Sequence, residues 1–160
     1  MAAFTSEKLI RFHHCDPAGI VFYPQYFVLF HELVEDWFNR GLGIEYADFI
    51  SRQRMGLPTV HIDCDFRAPS KIGEVLEMGL TVKRIGTTSF TIAVTVQGGG
   101  TVRVTANQVL CLLSLDTGRV IAIPAELRER FERYAESAGA PAAPERRGRA
   151  RRKRSVAPGE

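Results

Sequence analysis

Asp16 is the first residue whose type and setting could do chemistry. It opens a loop containing Pro and Gly, which runs through Ile20, Val21 and Phe22 into an aromatic-rich helix. A carboxylate can attack a carbonyl or activate water, and the unpaired N–H groups at a helix N-terminus can hold an oxyanion. This combination favours acyl transfer. The alternative is that Asp16 only forms a turn or caps the helix. The apolar residues between Asp16 and the helix weaken the capping interpretation.

The other reactive side chains do not form a known catalytic set. Residues 13–15 (His, His, Cys) directly precede Asp16, but adjacent residues of an extended segment point to opposite faces and cannot converge on one metal ion. We therefore do not expect a metal site here. The chain has no Gly-x-Ser-x-Gly motif and no phosphate-binding loop. His61, Asp63 and Asp65 share one face of a strand, and we expect them to face solvent rather than to act as paired catalytic groups.

His31 lies at the edge of the apolar arc of the helix that follows Asp16. In one interpretation it is a partly buried histidine, hydrogen-bonded to Glu35 one turn further on. In the other it reaches the floor of a pocket and contacts a polar group of an acyl substrate.

The elements that must position these residues follow from hydrophobic periodicity. Apolar residues recur at helical spacing after Pro24, and Gly41 and Gly43 end that helix. The period then changes to two, which predicts antiparallel strands. We expect an α+β fold, with one sheet curled around one apolar helix. The expected elements are a strand at 8–12, helices at 24–38 and 44–54, strands at 60–67, 76–83, 90–97 and 102–115, and a last helix after Pro124.

Composition and charge limit the class of protein. The 160 residues, 45% of them hydrophobic and 24% charged, are typical of one soluble domain. No apolar run is long enough to span a membrane, and the N-terminus does not have the pattern of a signal peptide, so a cytoplasmic location is expected. Residues 137–160 hold seven of the 21 basic residues and two of the 18 acidic ones, so the net charge of +3 comes from this segment. We expect a domain at 1–136 and a disordered basic tail at 137–160.

The segment from Asp16 to Tyr26 closely resembles the signature of the 4-hydroxybenzoyl-CoA thioesterase family, which has the hot-dog fold. It reads Asp-Pro-Ala-Gly-Ile-Val-Phe-Tyr-Pro-Gln-Tyr, and Glu32 matches a helical Glu of the looser family pattern. The resemblance implies a sheet wrapped around the central helix, two subunits joined through their sheet edges, and often a dimer of dimers. It also implies an active site at the subunit interface that needs no metal or separate cofactor.

The resemblance also implies roles for single residues. Asp16 matches the carboxylate that attacks the thioester or activates water, and the backbone N–H of Tyr23 matches the oxyanion donor. The enzymes of this family that act on aromatic substrates have an Asp at the position of His31, where it receives the phenolic hydroxyl. They also have a strongly basic turn where this chain reads Gly-Thr-Thr-Ser. The expected substrate-binding residues are Phe22, His31, Val60, His61, Lys83, Arg84, Thr87, Thr88 and Ser89.

The expected function is hydrolysis of an aromatic acyl-CoA, such as 4-hydroxybenzoyl-CoA or benzoyl-CoA. The alternatives are a short-chain aliphatic acyl-CoA thioesterase of the same fold and a non-catalytic acyl-CoA binding protein. The Arg-rich tail could contact CoA phosphates, nucleic acid or an anionic membrane, or it could simply be solvated. A nucleic-acid partner is not expected.

Overall fold

The computed structural model describes residues 3–136, in which one five-stranded antiparallel sheet wraps around one long helix. The large sheet has the strand order β1-β4-β5-β6-β3, and a small sheet has the order β2-β7-β8. The strands are β1 (Phe4–Leu9), β2 (Met55–Gly56), β3 (Thr59–Phe66), β4 (Val75–Ile85), β5 (Ser89–Gly98), β6 (Thr101–Cys111), β7 (Leu113–Ser114) and β8 (Arg119–Val120). The helices are α1 (Tyr23–Asp36), α2 (Tyr46–Ser51) and α3 (Ala125–Glu132), with a 3₁₀ turn at Phe12–His14 and a π-helical segment at Trp37–Leu42.

The core lies between α1 and the concave face of the large sheet. Alternate residues of β4 and β5 are buried, as the period of two predicts. α1 buries Leu29, Phe30 and Leu33 against them. The expected α+β architecture, a hot-dog fold, is confirmed. Among the described residues, no helix is long and apolar enough to cross a membrane. The predicted disordered tail lies outside these residues.

The first strand was predicted at the wrong residues. β1 covers Phe4–Leu9 and pairs with β4, whereas Phe12 is 84% exposed and starts the 3₁₀ turn. The alternation of β1 is hidden because two of its three inward residues are polar. Ser6 donates to Asp36 (2.8 Å), and Lys8 forms an ion pair with Glu32 (3.0 Å), both on α1. Polar partners on the helix therefore replace the apolar signal that a core-facing strand usually has.

Two other predicted boundaries were wrong, the end of the long helix and the end of the last long strand. α1 ends at Asp36, and the predicted last turn continues as the π-helical segment, whose Trp37 stacks on Phe131 (5.1 Å between ring centroids). The strand predicted at 102–115 breaks after Cys111. There the Leu112 N–H donates to the carbonyl of Thr88 (2.9 Å), and the chain moves to the small sheet. An unbroken apolar run has no alternation that could mark this break.

α1 runs antiparallel to β3, which is an edge strand of the large sheet. The ring of Tyr23, at the start of α1, lies 6.2 Å from the ring of Phe66, at the end of β3. His31 and Val34, further along α1, line a cavity with Thr59 at the start of β3. The first turn of α1 and this cavity therefore lie at opposite ends of β3.

Candidate active site

A tight turn at Asp16 places its carboxylate just before α1. The N–H of Gly19 donates to the Asp16 carbonyl (2.9 Å), and the N–H of Asp16 donates to the Ile20 carbonyl (3.0 Å). Asp at the first position, Pro17 at the second and Gly at the fourth are the residues that a type I turn favours. Gly19 has a φ of 75°, which glycine adopts without strain.

The side chain of Asp16 also takes part in the turn. Its Oδ1 accepts a hydrogen bond from the Ala18 N–H (2.8 Å), and the side chain is partly buried. The alternative interpretation, in which Asp16 forms a turn, therefore holds for Oδ1. Hydrogen bonding through Oδ1 fixes the direction of the carboxylate, and Oδ2 is the oxygen left to meet a substrate or a water.

Neighbouring segments hold this loop on both sides. Val21 N–H donates to the Ser70 carbonyl (2.9 Å), and Ile72 N–H donates to the Gly19 carbonyl (3.0 Å). Ser70 is fully buried, and its Oγ accepts a hydrogen bond from the Tyr26 hydroxyl of α1 (2.9 Å). These bonds tie the loop, α1 and residues 70–72 together, so the carboxylate is preorganised relative to the helix.

The backbone amide of Tyr23 is available as a hydrogen-bond donor. Tyr23 is the first residue of α1, so its N–H has no acceptor within the helix, and Pro24 has no N–H at all. Phe22 provides no side-chain cap, and the N–H of Gln25 is used by the Phe22 carbonyl (2.9 Å). The Tyr23 amide thus lies at the positive end of the helix dipole, where it can stabilise an oxyanion.

His14 holds the segment that precedes Asp16. Its Nδ1 accepts a hydrogen bond from the Arg11 N–H (2.9 Å), and its carbonyl accepts one from the Phe22 N–H (3.0 Å). Burial, together with the neighbouring His13, lowers the pKa of His14, so the ring is neutral as its acceptor role requires. Among residues 3–136, no three His, Cys, Asp or Glu side chains are placed to hold a metal ion.

A cavity of about 170 Å³ lies between α1 and the strands β3 and β6. His31 lines it, and the His31 Nε2 also lies 3.3 Å from Glu35 Oε2. The contact with Glu35 agrees with the first interpretation, although the side chain is 59% exposed, and the contact with an acyl substrate stays a prediction. Tyr46 packs edge-on against the His31 ring (6.1 Å), and burial raises the pKa of Tyr46. Its hydroxyl accordingly stays protonated at neutral pH.

Gln108 also lines this cavity, and it was not among the residues predicted from the sequence. Its side chain lies on the core-facing side of β6, between Ala106 and Leu110, and is 7% exposed. A glutamine in the apolar half of an alternating strand was the signal that could have revealed it.

The remaining predicted site residues lie elsewhere in the described chain. Phe22 is half-exposed beside Tyr23, and Val60 and His61 are exposed on the edge strand β3. Lys83 and Arg84 are exposed near the end of β4. The turn at 86–89 is held by residues 111–123, because Ser89 pairs with Cys111 and the Thr87 carbonyl accepts from Ile123 N–H.

The sheet register shows how far this turn is from Asp16. Cys111 adjoins the Thr59 end of β3, whereas the Asp16 loop adjoins the Phe66 end, about 23 Å away at 3.3 Å per residue. Within one chain, the structure does not bring the turn at 86–89 together with Asp16. A larger cavity of about 330 Å³, between α2 and α3, contains none of the predicted site residues.

The chain matches known proteins over most of its described length. A model of the Thioesterase-like superfamily matches residues 10–131. The 1,4-dihydroxy-2-naphthoyl-CoA hydrolase of Synechococcus elongatus is 34% identical over 93 residues, which make up 58% of this chain and 68% of that protein. The corresponding hydrolase of Nostoc punctiforme is 30% identical over 90 residues, which make up 56% of this chain and 60% of that protein.

Solved structures share the fold at lower sequence identity. A gentisyl-coenzyme A thioesterase has a TM-score of 0.74 at 23% identity, over 80% of this chain and 99% of that chain. A 1,4-dihydroxy-2-naphthoyl-CoA thioesterase from Synechocystis has a TM-score of 0.72 at 23% identity, over 81% and 95%. These matches support the superfamily rather than the narrower 4-hydroxybenzoyl-CoA thioesterase group that the sequence resembles. The chain therefore belongs to the Thioesterase-like superfamily, and it is a thioester hydrolase with the hot-dog fold.

Proposed function

We propose that this enzyme hydrolyses an aromatic acyl-CoA that carries a ring hydroxyl, releasing the free acid and CoA. The observation that carries the proposal is the joint placement of the Asp16 carboxylate and the Tyr23 amide by one hydrogen-bonded loop. The relatives that support it act, by name, on dihydroxynaphthoyl-CoA and gentisyl-CoA. 4-Hydroxybenzoyl-CoA, the substrate expected from the sequence, remains one member of this class.

The size of the cavity favours a single aromatic ring. At about 170 Å³ it is close to the volume of about 150 Å³ at which an engineered protein cavity binds benzene. The cavity opens at the surface, so part of a larger acyl group can lie outside it. Benzoyl esters with one or two hydroxyl groups are therefore the first substrates to test.

Two carboxylate mechanisms fit the geometry. In the first, an Asp16 oxygen attacks the thioester carbonyl, the C–S bond breaks, CoA leaves as a thiolate, and water then hydrolyses the mixed anhydride. In the second, Asp16 takes a proton from a water that attacks the carbonyl directly, and the C–S bond then breaks to release CoA as a thiolate. In both, the Tyr23 N–H donates a hydrogen bond to the oxyanion that forms at the carbonyl oxygen. Thiolate is a good leaving group, so neither mechanism requires another acid.

A second copy of the chain would complete this site. β3 is an edge strand and most of its residues are exposed, so two β3 strands can pair antiparallel into one continuous sheet. Such pairing puts the Thr59 end of one copy beside the Phe66 end of the other. The partner's cavity and its turn at 86–89 would then lie near Asp16, and Lys83 and Arg84 would be available for CoA phosphates. Further pairing into a tetramer also remains a proposal.

The test is thiol release from benzoyl-, 4-hydroxybenzoyl-, 2,5-dihydroxybenzoyl-, phenylacetyl- and short aliphatic CoA esters. We expect hydroxybenzoyl esters to be the best substrates, and Asp16→Asn to lower kcat by at least about 10³-fold, since it removes the nucleophile or base. Asp116→Asn is the matched control, because this exposed residue only pairs with Arg54 at the surface. Wild-type turnover in a folded Asp16→Asn variant would refute the mechanism. Preference for aliphatic esters would refute the substrate class, and thiol release from none of the esters would favour the non-catalytic binder.

A further inference from the structure

Gln108 breaks the apolar pattern of the strand that forms one wall of the cavity. On the core-facing side of β6 its neighbours are Ala106 and Leu110, both buried. Across the sheet it pairs with Ile92 in β5 and with Ile62 in β3. A leucine or methionine would fill this place without bringing a polar group into the core.

The hydrogen bonds of the Gln108 amide are incomplete. Its Nε2 donates to Thr59 Oγ1 (2.6 Å), whereas its Oε1 is shielded from solvent and has no hydrogen-bond partner in the part of the chain that the structure describes. Exchanging the amide oxygen and nitrogen would pair Oε1 with the Thr59 hydroxyl and leave Nε2 unpaired instead. In either orientation, one buried amide group lacks a partner.

The unpaired group belongs to the wall of the cavity that we assign to the acyl group. Gln108 and Thr59 line this cavity from the sheet, and His31 and Tyr46 line it from the helical side. An unpaired buried polar group destabilises the empty protein. Because this amide atom is shielded from solvent in the empty cavity, a ligand supplies its missing partner when the Gln108 amide rotates towards the cavity. A hydroxyl both donates and accepts, so it satisfies the amide in either orientation.

We propose that Gln108, held by Thr59, binds a hydroxyl on the aromatic ring of the acyl group and so makes the enzyme prefer hydroxylated over unsubstituted benzoyl esters. This inference rests on the proposed function and identifies the residue that selects its substrate class. Gln108 is a specificity residue: it acts on the ring, whereas Asp16 acts on the thioester.

The test compares kcat/KM for benzoyl-CoA, the three monohydroxybenzoyl-CoA esters and 2,5-dihydroxybenzoyl-CoA in the wild type and in Gln108→Met. Methionine keeps the length of the side chain and removes the amide. We expect the wild type to prefer its best hydroxylated ester over benzoyl-CoA by about tenfold or more, the effect of one hydrogen bond. In Gln108→Met this preference falls to about twofold or less, because kcat/KM falls more for the hydroxylated esters than for benzoyl-CoA.

Two further variants separate specificity from folding. Gln97→Met, which changes an exposed glutamine of β5, should keep the wild-type preference. Gln108→Leu repeats the loss of the amide with a second side chain, and turnover of benzoyl-CoA reports that each variant is folded. If Gln108→Met or Gln108→Leu hydrolyses benzoyl-CoA and keeps the wild-type preference for hydroxylated esters, the inference is wrong and the proposed function stands. If the wild type hydrolyses none of the aromatic esters, the proposed function fails and this inference with it.

Discussion

Gly19→Ala tests whether the turn, and not only the presence of Asp16, is needed for catalysis. Gly19 has a φ of 75°, a backbone conformation that costs an L-residue about 1–2 kcal/mol. A Cβ added at Gly19 would meet no atom within 4 Å, so the substitution adds backbone strain without a steric clash. The expected loss of stability is therefore about 1–2 kcal/mol, or about 3–8 °C in Tm for a domain of this size.

The effect on activity comes from the hydrogen bonds of Gly19. Its N–H bonds the Asp16 carbonyl and its own carbonyl accepts from Ile72, so a strained Gly19 moves the residue that holds the carboxylate. A displacement approaching 1 Å at a catalytic group lowers kcat by up to about 100-fold. We expect a loss of about 10- to 100-fold in kcat/KM in the thiol-release assay.

Gly100→Ala is the matched control. Gly100 has the same φ of 75° and equally open space where the alanine Cβ would lie, but it belongs to the β5–β6 turn and shares no backbone hydrogen bond with residues 16–21. The two variants should lose similar stability, and only Gly19→Ala should lose activity. Gly19→Asn should recover part of both, because asparagine tolerates the left-handed conformation better than alanine. Equal activity in the two alanine variants, with equal loss of Tm, would refute a catalytic role for this turn.

Two other predictions concern the support of the loop and the sharing of the site. The Lys71 amide and the Arg103 guanidinium hydrogen-bond the Glu74 carboxylate and lower its pKa from 4.5. The stabilisation that ionised Glu74 provides is thus present above about pH 4.5 and is lost as the pH falls through its lowered pKa. We therefore expect Glu74→Gln to lower Tm at pH 7 and to have little effect at pH 2. A Tm difference that does not change with pH would contradict this. If two copies share each site, mixing Asp16→Asn with Gln108→Met under conditions that exchange subunits should restore turnover of a hydroxybenzoyl ester beyond the sum of the two variants. No restoration would place Asp16 and Gln108 of one site in the same chain.

The loop at Asp16 could be predicted from the sequence because its information is local. Asp16, Pro17 and Gly19 are the residue types that their own turn requires, and Pro24 marks the first turn of α1. The alternating residues of β4 and β5 likewise indicate which side faces the core.

The other features of the fold and of the site depend on contacts between segments that are distant in the sequence. β1 was misplaced because Ser6 and Lys8 are matched by side chains of α1, distant along the chain, and not by an alternation of their own. The separation between the turn at 86–89 and Asp16 follows from the register of β3 with β6, which no local pattern specifies. Gln108 was visible as a polar residue in an apolar face, but its importance appears only once Thr59 and the cavity are placed around it.

The position of β3 at the edge of the sheet also affects the mobility of the cavity wall. Thr59 and Ile62 belong to β3 and also line the cavity. An edge strand is bonded to the sheet along one side, so its backbone opens more readily than that of the central strands β5 and β6. Amide hydrogen exchange should accordingly be faster along β3 than along β5. A partner that covers this edge will slow that exchange and, in the same step, rigidify the cavity wall that we assign to the acyl ring.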